Sequence, residues 1–374
     1  MTTLRLGDRE ARPLVQGGMG VGVSAHRLAA AVAREDCVGT IASSDLRRLH
    51  PDLMQATAHT RDKQAIERAN LVALEREIGA AREESGGRGV IAVNVMRAVS
   101  QYADYVRTAC AAGADAIVAG AGLALDLPEL ARDWPRVALV PIVSEARAAS
   151  LIARRWLRHG RPPDAIVVEH PGHAGGHLGA TRLAEVADPR FDFERVLPEI
   201  RAALHAAGMD PDRVPLIAAG GVNSPERVRA ALAAGASAVQ VGTPFAVAEE
   251  GDAHANFKQV LAGARAEDIV VFMSVAGLPA RAVRTPWLVR YLEKEEGLKA
   301  RAKKRRQCTL GWDCLAHCGL RDGLPQAGQF CIDHQLAAAL RGDVEHGLFF
   351  RGSEGVPFGA EIRPVRDLVR HLLG

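Results

Sequence analysis

The sequence of 374 residues has few aromatic side chains, few cysteines and no long apolar run. Aromatic residues make up only 4% of the chain, and the formal net charge is +3. No apolar stretch approaches the ~20 residues that a membrane-spanning helix needs. The small net charge gives no reason to expect nucleic-acid or membrane binding. Residues 1–10 carry charges where a secretory signal would be apolar, so we expect a cytoplasmic protein.

Short apolar runs recur along the first 245 residues, and alanine-rich helical stretches separate them. Their Val/Ile/Ala composition is typical of parallel strands that are buried on both faces. Eight such runs over roughly 240 residues fit a (β/α)8 TIM barrel, an α/β fold. A doubly wound open sheet is the alternative, because sequence does not show closure. The runs are Pro13–Gln16, Cys37–Ala42, Val90–Val95, Ala114–Ala119, Val137–Val143, Ala165–Glu169, Val214–Ala219 and Ala236–Val241.

Two changes of pattern divide the rest of the chain. Ser43–Arg88 is long and charged, with helical periodicity over Lys63–Ala81, which predicts extra helix in one connection. Glu249–Arg306 is helical apart from a short strand at Asp268–Met273. From residue 307 the chain is rich in glycine, cysteine and histidine. We therefore expect a barrel over 1–245, an accessory helical region over its mouth at 246–306, and a Cys-rich C-terminal extension at 307–374.

The segment Val168–Gly179 combines glycines, a proline and three histidines directly after a predicted strand. Glycines let the backbone approach a ligand closely, and histidine titrates near neutral pH. The alternative of a long solvated turn is less consistent with this composition. Zinc could bind His170, His173 and His177, but no helix fixes their spacing and no carboxylate completes the set. The segment therefore predicts a functional site rather than a metal centre.

Two further glycine-containing turns follow the last two predicted strands. They are Gly220-Gly221 before the helix start Ser224-Pro225, and Gly242-Thr243. Glycines after strands seven and eight of a barrel commonly bind a phosphate through backbone amides. Taken alone, either of these two turns could instead be a close-packed turn that binds no ligand. Gly17-Gly18-Met19-Gly20 also follows a strand, but it lacks the G-x-G-x-x-G spacing of a dinucleotide site.

These motifs occur in the order and spacing of a known family. They resemble the nitronate monooxygenases, once called 2-nitropropane dioxygenases, a family that also includes FMN-dependent enoyl-acyl-carrier-protein reductases. The resemblance covers about the first 290 residues, and the last region lies outside the pattern. The matching segments are Pro13–Gly20, Ala174–His177, Ala218–Gly221, Gln240–Phe245 and Gly277–Arg281.

The resemblance implies a TIM barrel that binds FMN at the carboxyl ends of its strands. His177 matches the active-site histidine of the family, where it would orient the substrate or relay protons. The glutamate usual before Ala-Gly-Gly-His is replaced by His173, which becomes a second catalytic candidate. FMN itself supplies the redox chemistry. The residues implied to hold FMN are Gln16, Gly17, Gly18 and Met19 along the ring, Asn94, Gly175 and Gly176, and Ala219, Gly220, Gly221, Gly242 and Thr243, the last five at the phosphate.

Four of the six cysteines cluster near the C-terminus. In a cytoplasmic protein such a cluster favours a metal over disulfides. The last three resemble part of the [4Fe–4S] motif of the FMN-dependent dienoyl-CoA reductases. Zinc is the alternative, although the usual pair of C-x2-C motifs is absent. The predicted ligands are Cys308, Cys314, Cys318 and Cys331.

The resemblance leaves three functions open. The first is an FMN-dependent oxidation of alkyl nitronates by dioxygen. The second is an NAD(P)H-dependent flavin and iron–sulfur ene-reductase acting on an acyl thioester, which a cluster would favour. The third is a flavin-binding regulatory protein without turnover. The basic run Lys299–Arg306 is either a solvated helix face or a contact for an acidic partner such as NADPH. We expect a small-molecule substrate and a homo-oligomer.

Overall fold

The structure, a computed structural model, describes residues 3–305, 308 and 310–374. The strands are β1 Leu4–Leu6, β2 Arg9–Ala11, β3 Leu14–Gln16, β4 Val38–Ala42, β5 Val90–Met96, β6 Ala116–Gly120, β7 Ala138–Val143, β8 Ile166–Glu169, β9 Gly176–His177, β10 Leu216–Ala219, β11 Ala238–Val241, β12 Ile269–Met273 and β13 Pro279–Val283. The helices are α1 His26–Arg34, α2 Pro51–Thr57, α3 Lys63–Ser85, α4 Tyr102–Ala111, α5 Leu127–Leu130, α6 Ala146–Leu157, α7 Phe193–Ala206, α8 Pro225–Ala233, α9 Thr243–Ala246, α10 Ala255–Gly263, α11 Pro286–Ala300, α12 Gly319–Asp322, α13 Ile332–Leu340 and α14 Val365–Leu373.

Eight parallel strands close into a barrel in the order β3, β4, β5, β6, β7, β8, β10 and β11, and β11 pairs back onto β3. Each predicted strand is confirmed to within two residues at either end. The TIM barrel is therefore confirmed over the doubly wound sheet, because the pairing of β11 with β3 leaves no open edge in this sheet.

Side chains along each barrel strand point alternately inward and outward, which gives the protein an inner core and an outer core. Small and branched side chains such as Val15, Ala92, Val167 and Ile217 form the inner cluster, together with Leu4 of the β1–β2 hairpin. The intervening strand residues belong to a larger cluster that includes the helices. Because side chains of a strand alternate in direction, the next inward residue after Val167 is Glu169. The carboxyl ends of the strands thus place polar groups above an apolar barrel interior.

The long connection after β4 contains the predicted extra helix. α3 starts where the Asp62 carboxylate accepts hydrogen bonds from the backbone N–H of Gln64 and Ala65. It ends at Gly86, whose φ of 62° lies in the left-handed region that favours glycine. The predicted bounds Lys63–Ala81 stop one turn short of the observed end.

The region after the barrel differs from the prediction in one strand. β12 matches the predicted Asp268–Met273, but β13 was expected to be helical and instead joins β12 and β9 in an antiparallel sheet. Its sequence Pro-Ala-Arg-Ala-Val has only one branched residue, so composition does not mark it as a strand. Its residues are buried, and tertiary packing determines their conformation.

The C-terminal region returns to the barrel. Val365, Leu368, Val369 and Leu372 of α14 pack in the same cluster as the outer faces of the barrel strands. None of the helices in the described part of the chain is long and apolar enough to span a membrane. The three-part division of the chain stays a prediction.

Candidate active site

A large cavity lies at the carboxyl ends of the barrel strands. Its volume is about 530 Å3, within the range of about 300–1,000 Å3 typical of small-molecule sites. With the exception of Gln16, every residue predicted to bind FMN or to act in catalysis lines it. These residues are Gly17, Gly18, Met19, Asn94, His173, Gly175, Gly176, His177, Ala219, Gly220, Gly221, Gly242 and Thr243.

Gln16 is fully buried and lies behind the cavity wall. Its side-chain oxygen accepts a hydrogen bond from the backbone N–H of Thr40 at 2.8 Å, and its amide nitrogen donates to the carbonyl of Gly17. These bonds connect the end of β3 to β4. Gln16 therefore positions the Gly17–Met19 segment.

His177 is held by secondary structure on one side and by a serine on the other. Its backbone belongs to β9, in register with Ala280 of β13. Its Nε2 lies 2.7 Å from the hydroxyl of Ser274, and its ring contacts Phe350 edge-on at 5.6 Å between centroids. Burial lowers the pKa of His177 to about 4. The imidazole is therefore neutral at physiological pH.

His173 lies nearer the predicted phosphate side of the cavity. Its Nδ1 lies 3.0 Å from the hydroxyl of Ser353 and 3.2 Å from a carboxylate oxygen of Glu354. Burial is the main cause that lowers its pKa, and the neighbouring His170 adds to the effect. Residues of the C-terminal region thus contact Nδ1 of His173, whereas Ser274 contacts Nε2 of His177.

Neighbouring segments approach the cavity wall so closely that only glycine fits at several of its positions. A Cβ at Gly18 would lie 2.3 Å from the Cβ of Asn94, and one at Gly175 would lie 2.5 Å from the backbone carbon of Arg351. Gly220 and Gly221 have φ values of 105° and 76°, which side chains rarely adopt. The hydroxyl of Thr243 accepts a hydrogen bond from the backbone N–H of Gly352 at 3.0 Å. The backbone therefore forms a narrow cradle at this end of the cavity.

The residue patterns did not identify Glu169 as a site residue, although it ends β8 and lines the cavity. Burial raises its pKa to about 7, while the backbone N–H of Gly179 and the guanidinium of Arg281 oppose the shift. Arg281 is itself fixed by hydrogen bonds to the carbonyls of Pro171 and Ala174. The position of Glu169, the last residue of a strand before the glycine-rich segment, was the signal that could have found it.

The C-terminal region forms much of the apolar wall, which sequence reasoning also missed. Trp312, Leu315, Leu336, Leu348 and Phe350 all line the cavity. They follow no recognisable periodicity with respect to the barrel. Only the folded chain brings them to the strand ends.

The metal site predicted on Cys308, Cys314, Cys318 and Cys331 is not supported. Within residues 3–305, 308 and 310–374, no group of three or more His, Cys, Asp or Glu side chains is placed to hold a metal ion. Burial raises the pKa of Cys331 to about 12, and it also raises those of Cys314 and Cys318. The four cysteines form no disulfide, Cys314 and Cys318 pack in an apolar cluster, and Cys314 lines the cavity.

Comparison with known proteins agrees with the resemblance noted in the sequence. The model of the nitronate monooxygenase family matches residues 9–374. The chain belongs to this family. The match extends through the C-terminal region, so the expectation that this region lies outside the family pattern is wrong.

Individual relatives of this nitronate monooxygenase family member align over shorter spans. The probable nitronate monooxygenase of Bacillus subtilis (strain 168) is 31% identical over 140 residues, which are 37% of this chain and 38% of that protein. A Mycobacterium tuberculosis protein named (3aS,4S,5R,7aS)-5-hydroxy-7a-methyl-1-oxo-octahydro-1H-indene-4-carboxyl-CoA dehydrogenase is 29% identical over 204 residues, 51% of each chain. The chain thus matches between about a third and a half of the length of these curated relatives.

The structure of FabK from Thermotoga maritima has the same overall fold. It superposes with a TM-score of 0.65 and 23% identity, covering 99% of this chain and 93% of that one. At this identity the likeness concerns the fold alone.

Proposed function

We propose that the protein is an FMN-dependent oxidoreductase that oxidises alkyl nitronates with dioxygen. The observation that carries the proposal is His177, a neutral imidazole held by Ser274 at the wall of the cavity of a nitronate monooxygenase family barrel. FMN, when bound, would supply the redox chemistry, accepting electrons from the substrate and passing them on to dioxygen.

The cavity fits FMN in size and in its backbone. Gly17, Gly18 and Met19 with Asn94 would line the ring, and Gly175 and Gly176 would border it. The cradle of Ala219, Gly220, Gly221, Gly242 and Thr243 would hold the phosphate. Because a Cβ at Gly18 would clash with Asn94 and one at Gly175 would clash with Arg351, these two glycines let the wall segments pack directly on each other and so fix the shape of the cavity.

His177 would orient the substrate through a hydrogen bond. A neutral imidazole has one donor nitrogen and one acceptor nitrogen. Ser274 engages Nε2, so Nδ1 is the atom available to the substrate. Because the pKa of His177 is low, the ring stays neutral and adds no charge to the cavity. His173 is a second candidate on the phosphate side.

The test is an anaerobic reduction of the purified yellow protein. We expect propane-2-nitronate to bleach the flavin absorbance and admission of air to restore it. Bleaching by NADH or NADPH alone, with none by the nitronate, would reject the proposal. A colourless protein that also fails to take up added FMN would reject flavin chemistry altogether.

A second candidate is an NAD(P)H-dependent reductase that acts on an acyl thioester. It is favoured by the apolar wall of Trp312, Leu315, Leu336 and Phe350, which suits a longer apolar substrate than a small nitronate. The relative named as a CoA dehydrogenase, which aligns with half of this chain, also supports it. Reduction by NADPH followed by reoxidation with an enoyl thioester would select this function.

A further inference from the structure

Glu169 is a carboxyl group at the top of the barrel interior. It is two residues after Val167, which packs in the inner core, so the period of the strand directs its side chain inward as well. It pairs in register with Ala219 of β10, a residue of the predicted phosphate cradle. It also lines the cavity. A carboxyl group therefore lies among the strand ends on which a ligand would rest.

One cation and one backbone donor oppose the effect of burial on Glu169. Arg281 on β13 is the charged group that acts on its carboxylate, and the backbone N–H of Gly179 donates to it. Ser144 directly follows the neighbouring strand β7. It lies so close to Gly179 that a Cβ on Gly179 would overlap the Ser144 hydroxyl. Glu145, the next residue, also lines the cavity.

The three histidines of the adjoining segment each have another partner. His170 Nε2 lies 3.1 Å from a carboxylate oxygen of Asp192, and His173 contacts Ser353 and Glu354. His177 is paired with Ser274. None of these contacts involves the carboxyl group of Glu169, whose own neighbours are the backbone N–H of Gly179 and Arg281, and the residue lines the cavity.

We propose that Glu169 binds the substrate in its protonated form, donating its O–H to an anionic oxygen of the nitronate. This inference rests on the proposed function and specifies the charge of the substrate that the cavity accepts. When Glu169 is a carboxylate, binding takes up one proton from solvent; the O–H bond forms on Glu169 and no electrons are transferred.

The physical reason is electrostatic repulsion within a buried site. Two anions in one low-dielectric cavity repel each other strongly. His177 is neutral, and the Arg281 guanidinium is already held by the carbonyls of Pro171 and Ala174. The pKa of Glu169 is about 7. We therefore expect nitronate affinity to be constant below pH 7 and to fall by about tenfold for each pH unit above it.

Two measurements on the FMN-loaded protein test the proposal. The first is the dissociation constant of propane-2-nitronate between pH 6 and 9, obtained from the concentration dependence of anaerobic flavin bleaching. The second is calorimetric titration with isobutyrate, an unreactive anion of similar shape, in buffers of different ionisation enthalpy. The wild type should take up close to one proton per isobutyrate at pH 8.5.

The variant Glu169→Gln isolates the carboxyl group. Its amide donates a hydrogen bond at every pH, so affinity should be independent of pH and at pH 9 should exceed that of the wild type by at least tenfold. Glu267→Gln makes the same chemical change at an exposed position outside the cavity and should keep the slope of the wild type.

The outcomes separate this inference from the proposed function. Binding without proton uptake in the wild type, absence of binding by both anions, or an unchanged slope in Glu169→Gln would overturn the inference. If Glu169→Gln fails to fold, proton uptake by the wild type still decides. Proton-linked isobutyrate binding without flavin reduction by the nitronate would reject the proposed function and leave the role of Glu169 supported.

Discussion

Arg48 donates a hydrogen bond from Nη2 to the carboxylate of Asp333 over 2.6 Å, and this contact joins the barrel to the C-terminal region. Arg48 lies in the loop after β4, and Asp333 lies in the first turn of α13. The same guanidinium also pairs with Asp45, whose pKa is raised to about 7 by burial and by the nearby Asp333. Both aspartates line the cavity. The ion-pair cluster therefore fixes the position of one cavity wall.

Removing one member of this cluster should destabilise the protein. Asp333→Ala leaves Arg48, whose side chain is 15% exposed, with Asp45 as its remaining anion. Breaking a buried pair typically costs about 3–5 kcal/mol, which is the upper limit here because Arg48 keeps one partner. Urea denaturation followed by circular dichroism measures the free energy of unfolding. Asp343→Ala is the matched control, because Asp343 pairs with His346 at the exposed surface and such pairs contribute at most about 1 kcal/mol. An equal decrease in the free energy of unfolding in the two variants would show that the Arg48–Asp333 contact stabilises the protein no more than an exposed ion pair does.

His177→Ala should separate cofactor binding from turnover. The predicted phosphate cradle involves other residues, so the variant should still bind FMN and retain its yellow colour. Turnover of propane-2-nitronate should fall by roughly 10²–10⁴-fold if His177 acts in proton transfer. Oxygen consumption measures turnover, and the flavin released on denaturation measures occupancy. Loss of flavin would indicate a structural role, and unchanged turnover would exclude His177 from the reaction.

The barrel was predictable because its strands depend on local composition. Continuous Val/Ile/Ala runs followed by helical stretches define eight strand–helix units without knowledge of the partners. The glycine-rich segments could be placed at the cavity for the same reason, since each directly follows such a strand. Local sequence therefore indicated the fold and most of the cavity floor.

The walls of the cavity were not predictable from local patterns. Trp312 and Asp333 line the cavity, and Ser274 contacts His177, only through packing of regions far apart in the chain. The cysteines show the same limit, because their spacing suggested a metal, whereas the described part of the chain places no group of three or more His, Cys, Asp or Glu side chains to hold one. Spacing along the chain does not by itself determine how side chains are arranged in the fold.

The contact between His26 and Glu77 should make stability depend on pH. His26 Nδ1 lies 2.7 Å from the Glu77 carboxylate, and that hydrogen bond is the main cause that raises the pKa of His26 above its usual 6.5. Because the folded state binds the proton more tightly than the unfolded state, the stabilisation is complete below pH 6.5 and is lost as pH rises through the raised pKa. His26→Gln should therefore lower the free energy of unfolding more at pH 6 than at pH 9. Urea titrations of both proteins at the two pH values provide the test, and an equal loss at both would contradict a role for the charged imidazole.

Gly18→Ala should abolish FMN binding with little other effect. The added methyl group would lie 2.3 Å from the Cβ of Asn94, so either Asn94 or the Gly17–Met19 segment must move from the cavity wall. Gly79→Ala is the control, because a Cβ at this position in α3 meets no atom within 4 Å. Gly79→Ala should stabilise the protein by about 0.5–1 kcal/mol, since alanine is more favourable than glycine in the interior of a helix. Fluorescence of the flavin released from each purified variant measures occupancy, and thermal unfolding measures stability. Full flavin occupancy in Gly18→Ala would show that this part of the wall does not contact the cofactor.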